Sequence, residues 1–274
     1  MEIKVSFLFI GPDKSGSSWL YKLLLAHPDC FVPRIKDIYY FDRYYSNGVE
    51  WYHKRFAKAA PGCEAVGELS HDYLFSLQAC RRIYEYNPRV KLLTCLRDPV
   101  DRSFSHYLYL KRSGLTRRPL IEAIADFPEI IHNSQYNKHL VMYYERFESS
   151  QIKVLFFEEL KDDPWRFAHE ALDFIGLSSV VELPEKERAA AKPRSHTIAR
   201  IMKIGANLSR ALGVDGLVGL VKESALSNIL YSEYAPGEKP SLTVDERCFL
   251  VDSLSDVKSE TEKILGYKIP YWNK

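Results

Sequence analysis

No long apolar stretch stands near the start of this chain. The run VSFLFI, Val5 to Ile10, is cut off by Gly11-Pro12, too short for a signal-peptide core and far too short for the roughly 20 residues a membrane helix needs. The cytosol is therefore the expected compartment. Charge of one sign is not in excess either, since 38 basic and 36 acidic residues leave a formal net charge of +2. That balance argues against nucleic acid as a partner but leaves room for a local basic pocket. Cysteine is scarce: Cys30, Cys63, Cys80, Cys95 and Cys248 are odd in number and include no CxxC pair, so neither a disulfide framework nor a zinc knuckle is expected. Repeats and low-complexity segments are absent too. What remains is 274 residues, 46% hydrophobic and 27% charged, enough to bury one sizeable core.

Periodicity then suggests an order. VSFLFI reads as a buried parallel strand, and WLYKLLLAHP follows with Leu20, Leu23, Leu24 and His27 at helical spacing until Pro28. The same unit recurs: VKLLTCL (Val90 to Leu96) precedes a helix starting near Pro99, and IKVLFFEEL (Ile152 to Leu160) precedes a helix closed by Gly176. AVGEL is a short strand candidate, and Leu250, Leu254, Val257, Thr261 and Ile264 place one long helix over residues 244–265. Alternating strands and helices predict an α/β fold, a parallel sheet covered on both faces with ligands at the strands' carboxyl ends. We expect a single domain over residues 1–274, in which the basic and glycine-rich region 182–240 forms a helical cap over the site.

The stretch GPDKSGSSW, opening at Gly11, lies between the first strand and the first helix. Its glycines have the spacing of a phosphate loop GxxxxGK[ST], but Ser17 follows the second glycine and the lysine is Lys14. Amides at a helix N-terminus attract anions in either case. For a magnesium-dependent nucleotidase the displaced lysine is a serious lesion, whereas in sulfuryl transfer Lys14 can neutralise charge on the bridging oxygen without a metal. An ordinary Gly-Ser turn is the third reading. After the second strand, RDPVDRSFS places Arg97 at the strand end and Ser105 in the next helix, with Arg102 between them; Arg97 and Ser105 could hold a second phosphate, or Arg97 could simply pair with Asp98 or Asp101.

KSGSSWLYKLL resembles the 5′-phosphosulfate loop of sulfotransferases that use 3′-phosphoadenosine 5′-phosphosulfate, and LRDPVDRSFSHY resembles their 3′-phosphate motif. KDIYYFDRYYSNGVEWYHKRF is similar to the KExHFFD segment of the glycosaminoglycan-type branch, and GELSHDYL, SQYNKHLVMYYERF and IKVLFFEEL extend the likeness over about residues 5–177. The resemblance implies a P-loop-like fold, that nucleotide as sulfuryl donor, 3′-phosphoadenosine 5′-phosphate as product, and no metal.

By the same resemblance, Lys14, Ser15, Gly16, Ser17, Ser18 and Trp19 form the donor loop, with Lys14 on the leaving phosphate. Arg97 and Ser105 take the 3′-phosphate, Tyr136 lies near the nucleotide, and Lys239 in GEKP stands where that branch carries a basic loop. Asp37 matches the branch's glutamate base but is one methylene shorter, and Tyr39-Tyr40-Phe41 replaces HFF. His71 is the competing base, at a position where the branch usually holds proline, and Ser70 could touch either substrate. The acceptor would be a hydroxyl or amine on a glycan, aromatic or lipid-like molecule. Tyr39, Tyr40, Tyr44, Tyr45, Trp51 and Tyr52 suit stacking on it, though a core would use the same residues. The alternatives are an ATP-dependent kinase with Glu158 as magnesium partner, and a nucleotide-binding protein without turnover.

Overall fold

A computed structural model describes residues 5–59, 62–178, 182–185, 191–193, 205, 231–233, 238 and 240–272. The chain divides into two compact units: Met1–Asp98 with Gln135–Glu185 and Asp256–Lys274, and Pro99–Ser134 with Lys186–Ser255.

The first unit is built on a five-stranded sheet. Its strands are β1 (Phe7–Gly11), β2 (Cys30–Phe31), β3 (Ala65–Leu69), β4 (Lys91–Leu96) and β5 (Ile152–Phe156), in the spatial order β2-β3-β1-β4-β5. All the pairings are parallel, as expected of strands that are apolar on both faces. From β1 the chain crosses to β2 on one side, whereas from β4 it proceeds to β5 on the other. The carboxyl ends of adjacent β1 and β4 therefore flank the topological switch, where α/β sheets bind ligands.

Helices α1 (Ser17–Ala26), α2 (Val49–His53), α3 (Leu77–Tyr86), α7 (Tyr136–Tyr144), α8 (Phe157–Asp162), α9 (Pro164–Ile175) and α11 (Val257–Leu265) complete this unit. The expected strand IKVLFFEEL splits: it pairs only as far as Phe156, and FEEL turns into α8. The helix expected to close at Gly176 is α9: Gly176 is left-handed at its end, and the structure adds Asp163 accepting the Arg166 amide at 3.0 Å and Pro164 in the first turn. Trp19, Leu20, Leu23 and Leu24 of α1 bury against Phe7, Phe9, Leu93 and Leu155 of the sheet, and against Phe167 and Leu172 of α9.

In the second unit, α4 (Pro99–Arg112) packs with α5 (Leu120–Asp126), α6 (Glu129–His132) and α10 (Val244–Ser253). Strands β6 (Ala191–Pro193) and β7 (Tyr231–Glu233) pair antiparallel. The single helix expected over 244–265 is two helices, α10 and α11, and the chain clusters into different units on either side of Ser255. Ser255 Oγ donates back to the Asp252 carbonyl at 3.0 Å, the local competition by which serine interrupts helices. Most of the expected cap, residues 182–240, lies outside the described residues. No helix among the described residues is long and apolar enough to cross a membrane.

Candidate active site

The loop leaving β1 is held close to the end of β3. Gly11 has φ 128°, and a Cβ built there would stand 2.1 Å from the His71 carbonyl oxygen, so only glycine lets the backbones approach this closely. Gly11→Ala is expected to cost about 1–3 kcal/mol in urea unfolding through this clash and the left-handed backbone. Gly16, with φ 87°, is the N-cap of α1, and no acidic residue stands in that helix's first turn. The positive end of α1 is thus left to an anion. Ser15 is fully buried and its hydroxyl donates to the Asp13 carbonyl at 3.4 Å. Trp19 is buried in the core, where its indole N–H donates to the Pro184 carbonyl at 3.2 Å. Of Trp19 only the backbone belongs with the loop.

Arg97, at the end of β4, reaches that loop: its Nη1 donates to the Lys14 carbonyl at 3.2 Å, and its guanidinium lies 4.8 Å from the centroid of the Phe157 ring. Arg97 and the backbone of Lys14 are thus in direct contact. The turn after Arg97 is pinned from two sides. Tyr136, fully buried, donates its hydroxyl to the Arg97 carbonyl at 2.9 Å, and Glu158 Oε1 accepts the Asp98 amide at 3.0 Å. Tyr136 thus positions Arg97, and Glu158, the magnesium partner of the kinase reading, braces the same turn.

On the other side of the loop Asp37 and His71 meet, 34 residues apart in sequence, with Nδ1 and Oδ1 at 2.7 Å. Asp37 is buried and carries φ 69°, a left-handed conformation that its amide fixes by donating to the Leu69 carbonyl at 2.9 Å. The Tyr39 hydroxyl stands 3.0 Å from His71 Nε2, and Asp72 Oδ1 is 3.4 Å from the same nitrogen. Burial works against protonation of His71, but Asp37, Asp72 and Asp13 outweigh it and raise its pKa above the usual value. The two candidate bases are one pair rather than alternatives.

Beneath the pair lies a network that sequence reasoning did not single out. Ser70 Oγ accepts the Tyr39 amide at 3.0 Å and donates to Glu68 at 2.7 Å, and Tyr73 donates to the other Glu68 oxygen at 2.8 Å. Burial pushes Glu68 up to about 7 against these hydrogen bonds. Ser70 is thus spent on the backbone of the Asp37 segment. Lys36, which in sequence reads only as a possible ion-pair partner of Asp37, instead donates its Nζ to Ser17 Oγ at 2.8 Å and lies 3.5 Å from Ser18 Oγ. Its signal in sequence was only its place beside Asp37.

The aromatic residues divide. Tyr39, Tyr40 and Tyr52 are buried, and Tyr40 stacks on Tyr52 with centroids 4.6 Å apart. They form core, which leaves Tyr44, Tyr45 and Trp51 at the surface or half-buried. In the second unit, Arg102 is fully buried and donates to the Glu129 and Ile130 carbonyls at 3.2 and 3.3 Å, so it is a packing residue there. Ser105 lies half-buried on α4. Lys239 lies outside the described residues.

With this geometry in hand, comparison with known proteins gives a consistent result. Residues 5–205 match the sulfotransferase domain family. The chain is 35% identical over 133 residues, 46% of its length, to a membrane-associated sulfotransferase, kil1, of Dictyostelium discoideum, and covers 27% of that protein. It is 25% identical over 289 aligned residues, 97% of its length, to bifunctional heparan sulfate N-deacetylase/N-sulfotransferase 1 of Mus musculus, covering 30% of it. The chain thus spans under a third of these two relatives. Among solved structures, a sulfotransferase from Alicyclobacillus acidocaldarius superposes with a TM-score of 0.72 at 21% identity, with both chains fully covered.

Proposed function

The chain belongs to the sulfotransferase domain family, and from that premise we propose that it moves a sulfuryl group from 3′-phosphoadenosine 5′-phosphosulfate to a hydroxyl or amine. The observation that carries this is the convergence at the switch point. Lys14, the acid-free start of α1 and Arg97 supply positive charge, and the Asp37–His71 pair, joined to the loop where Gly11 meets His71, supplies a base. These residues fit an anionic nucleotide.

When bound, the donor supplies a sulfuryl group already activated by its phosphate leaving group. Lys14 and the amides of residues 15–18 neutralise the negative charge that grows on that phosphate. The pair takes the acceptor's proton: Asp37 orients His71 and stabilises the imidazolium, in the manner of a carboxylate behind a catalytic histidine. Arg97 serves the nucleotide's 3′-phosphate, held in place by Tyr136 and Glu158. Ser105 and Lys239 keep a nucleotide contact on sequence similarity alone.

The acceptor is a glycan or a small molecule, and Tyr44 and the ring faces of Tyr45 and Trp51 that Arg82 and Arg55 do not cover are the aromatic surfaces to meet it. Five free cysteines, three of them buried, support the cytosol as the compartment.

Thermal unfolding tests the donor assignment. At 100 times its Kd, 3′-phosphoadenosine 5′-phosphate should add about 2.7 kcal/mol of stability, in chelator or magnesium alike, with adenosine 5′-phosphate adding far less. Arg97→Ala should remove most of the preference for the 3′-phosphorylated nucleotide, because it deletes a charge-assisted contact. A response only to ATP with magnesium would return the loop to the kinase reading.

A further inference from the structure

Lys36 occupies an electrostatically awkward place. The start of α1 carries about half a positive charge from its aligned peptides. Lysines are expected at the opposite end of a helix, yet Lys36 directs its ammonium onto the hydroxyls of Ser17 and Ser18, in the first turn. No acidic side chain stands in that turn to balance it. Lys14 belongs to the loop that runs into the same helix, so two ammonium-bearing residues serve one helix start. A four-carbon stem on a half-buried residue could carry the charge into water, where its hydration is strongest. Held inward instead, the ammonium is favourable when an anion arrives.

The place of Lys36 in the chain indicates which part of that anion it meets. It immediately precedes Asp37, whose left-handed backbone turns the carboxylate to His71. Lys36 is therefore anchored on the donor loop at its tip and joined to the base at its root. Lys14 serves the phosphate side of the donor. The group between that phosphate and the base is the sulfonate, whose three oxygens carry negative charge before and during transfer.

We propose that Lys36 is a catalytic residue that binds the sulfonate oxygens of the donor, a role distinct from that of Lys14. This rests on the donor assignment made above. On binding, the ammonium exchanges its longer contact, to Ser18, for a sulfonate oxygen while Ser17 keeps it in register. It holds the sulfuryl group facing the Asp37–His71 pair and shields the approaching acceptor from that group's charge.

Two nucleotides that differ only by the sulfonate separate this role from the alternatives. Dissociation constants for 3′-phosphoadenosine 5′-phosphosulfate and 3′-phosphoadenosine 5′-phosphate would be measured by calorimetry on the wild-type chain, Lys36→Met, Lys36→Gln and Lys14→Ala. Both Lys36 variants should bind the sulfated nucleotide about 10- to 100-fold more weakly, the size of one charge-assisted hydrogen bond, with less than about a twofold change for the unsulfated one. Lys14→Ala should weaken both. Equal losses for the two nucleotides in the Lys36 variants, or none, would overturn the proposal. So would a large fall in Tm in both variants without nucleotide, which would make Lys36 a brace for α1. Failure of the wild-type chain to bind either nucleotide would instead overturn the donor assignment beneath it.

Discussion

Lys14→Ala is expected to reduce transfer by about 10²–10³-fold, the usual consequence of removing one donor aimed at developing negative charge, or about 3 kcal/mol of barrier. The loss should appear mainly in kcat. In the proposed mechanism Lys14 also meets the bound phosphate, but its contribution grows as the bond from sulfur to the bridging oxygen breaks and charge collects on the leaving group. Single-turnover formation of 3′-phosphoadenosine 5′-phosphate, quenched on the protein at saturating donor, measures this step without interference from product release. The backbone at Lys14 is left-handed, with φ 65°. Near-normal single turnover in the variant would move the leaving-group role to another residue of the loop.

The second large effect concerns the base. Asp37→Asn and His71→Asn are each expected to lower kcat by about 10²–10⁴-fold, and the double variant should be no worse than the poorer single one, because a pair acting as one base is lost once. Multiplied losses would show two independent groups. The pH profile gives a finer reading. His71 is raised above its usual value near 6.5, so the proton-accepting form gains population only as pH rises through that higher value, and kcat should climb there. In Asp37→Asn the largest single influence raising His71 is removed, and the inflection should move to lower pH while the plateau falls. Stability carries the opposite sign. The imidazolium's contribution to folding is fully present below about pH 6.5 and is lost as pH rises through the folded value. The fold is thus slightly less secure where the base is best prepared.

Much of the first unit was legible because strand periodicity and the helix-closing Gly176 are local signals, and Pro99 marked the start of α4 in the second unit in the same way. Arg97 was legible for a similar reason, since it ends a strong apolar strand. The union of Asp37 with His71 was not, because it is made by tertiary contact between segments 34 residues apart, and neither residue has a local pattern that names the other. Lys36 was hidden by its neighbour: beside Asp37 it reads as half of a surface ion pair, and only the fold turns it back onto α1. IKVLFFEEL misled for the reverse reason. Its apolar run passes without a break from strand into helix, so composition marks no boundary. The interruption near Ser255 was missed because the helical spacing of Leu250, Leu254 and Val257 continues across it.

Lys14, Asp37 and Tyr39 all hold left-handed backbone, with φ of 65°, 69° and 56°. Outside glycine, such conformations usually cost folding free energy, and least for aspartate. The surrounding hydrogen bonds, from the Asp37 amide to Leu69 and from the Tyr39 amide to Ser70, are what keep them in place. Durability and turnover therefore compete for the same dihedral angles. A chain selected only for heat resistance would drift towards glycine at these positions, the residue that relaxes the backbone there, and would give up the side chains on which the chemistry depends. If the proposed site is right, its residues hold the most strained backbone outside glycine among the described residues, and an attempt to harden this protein would begin elsewhere.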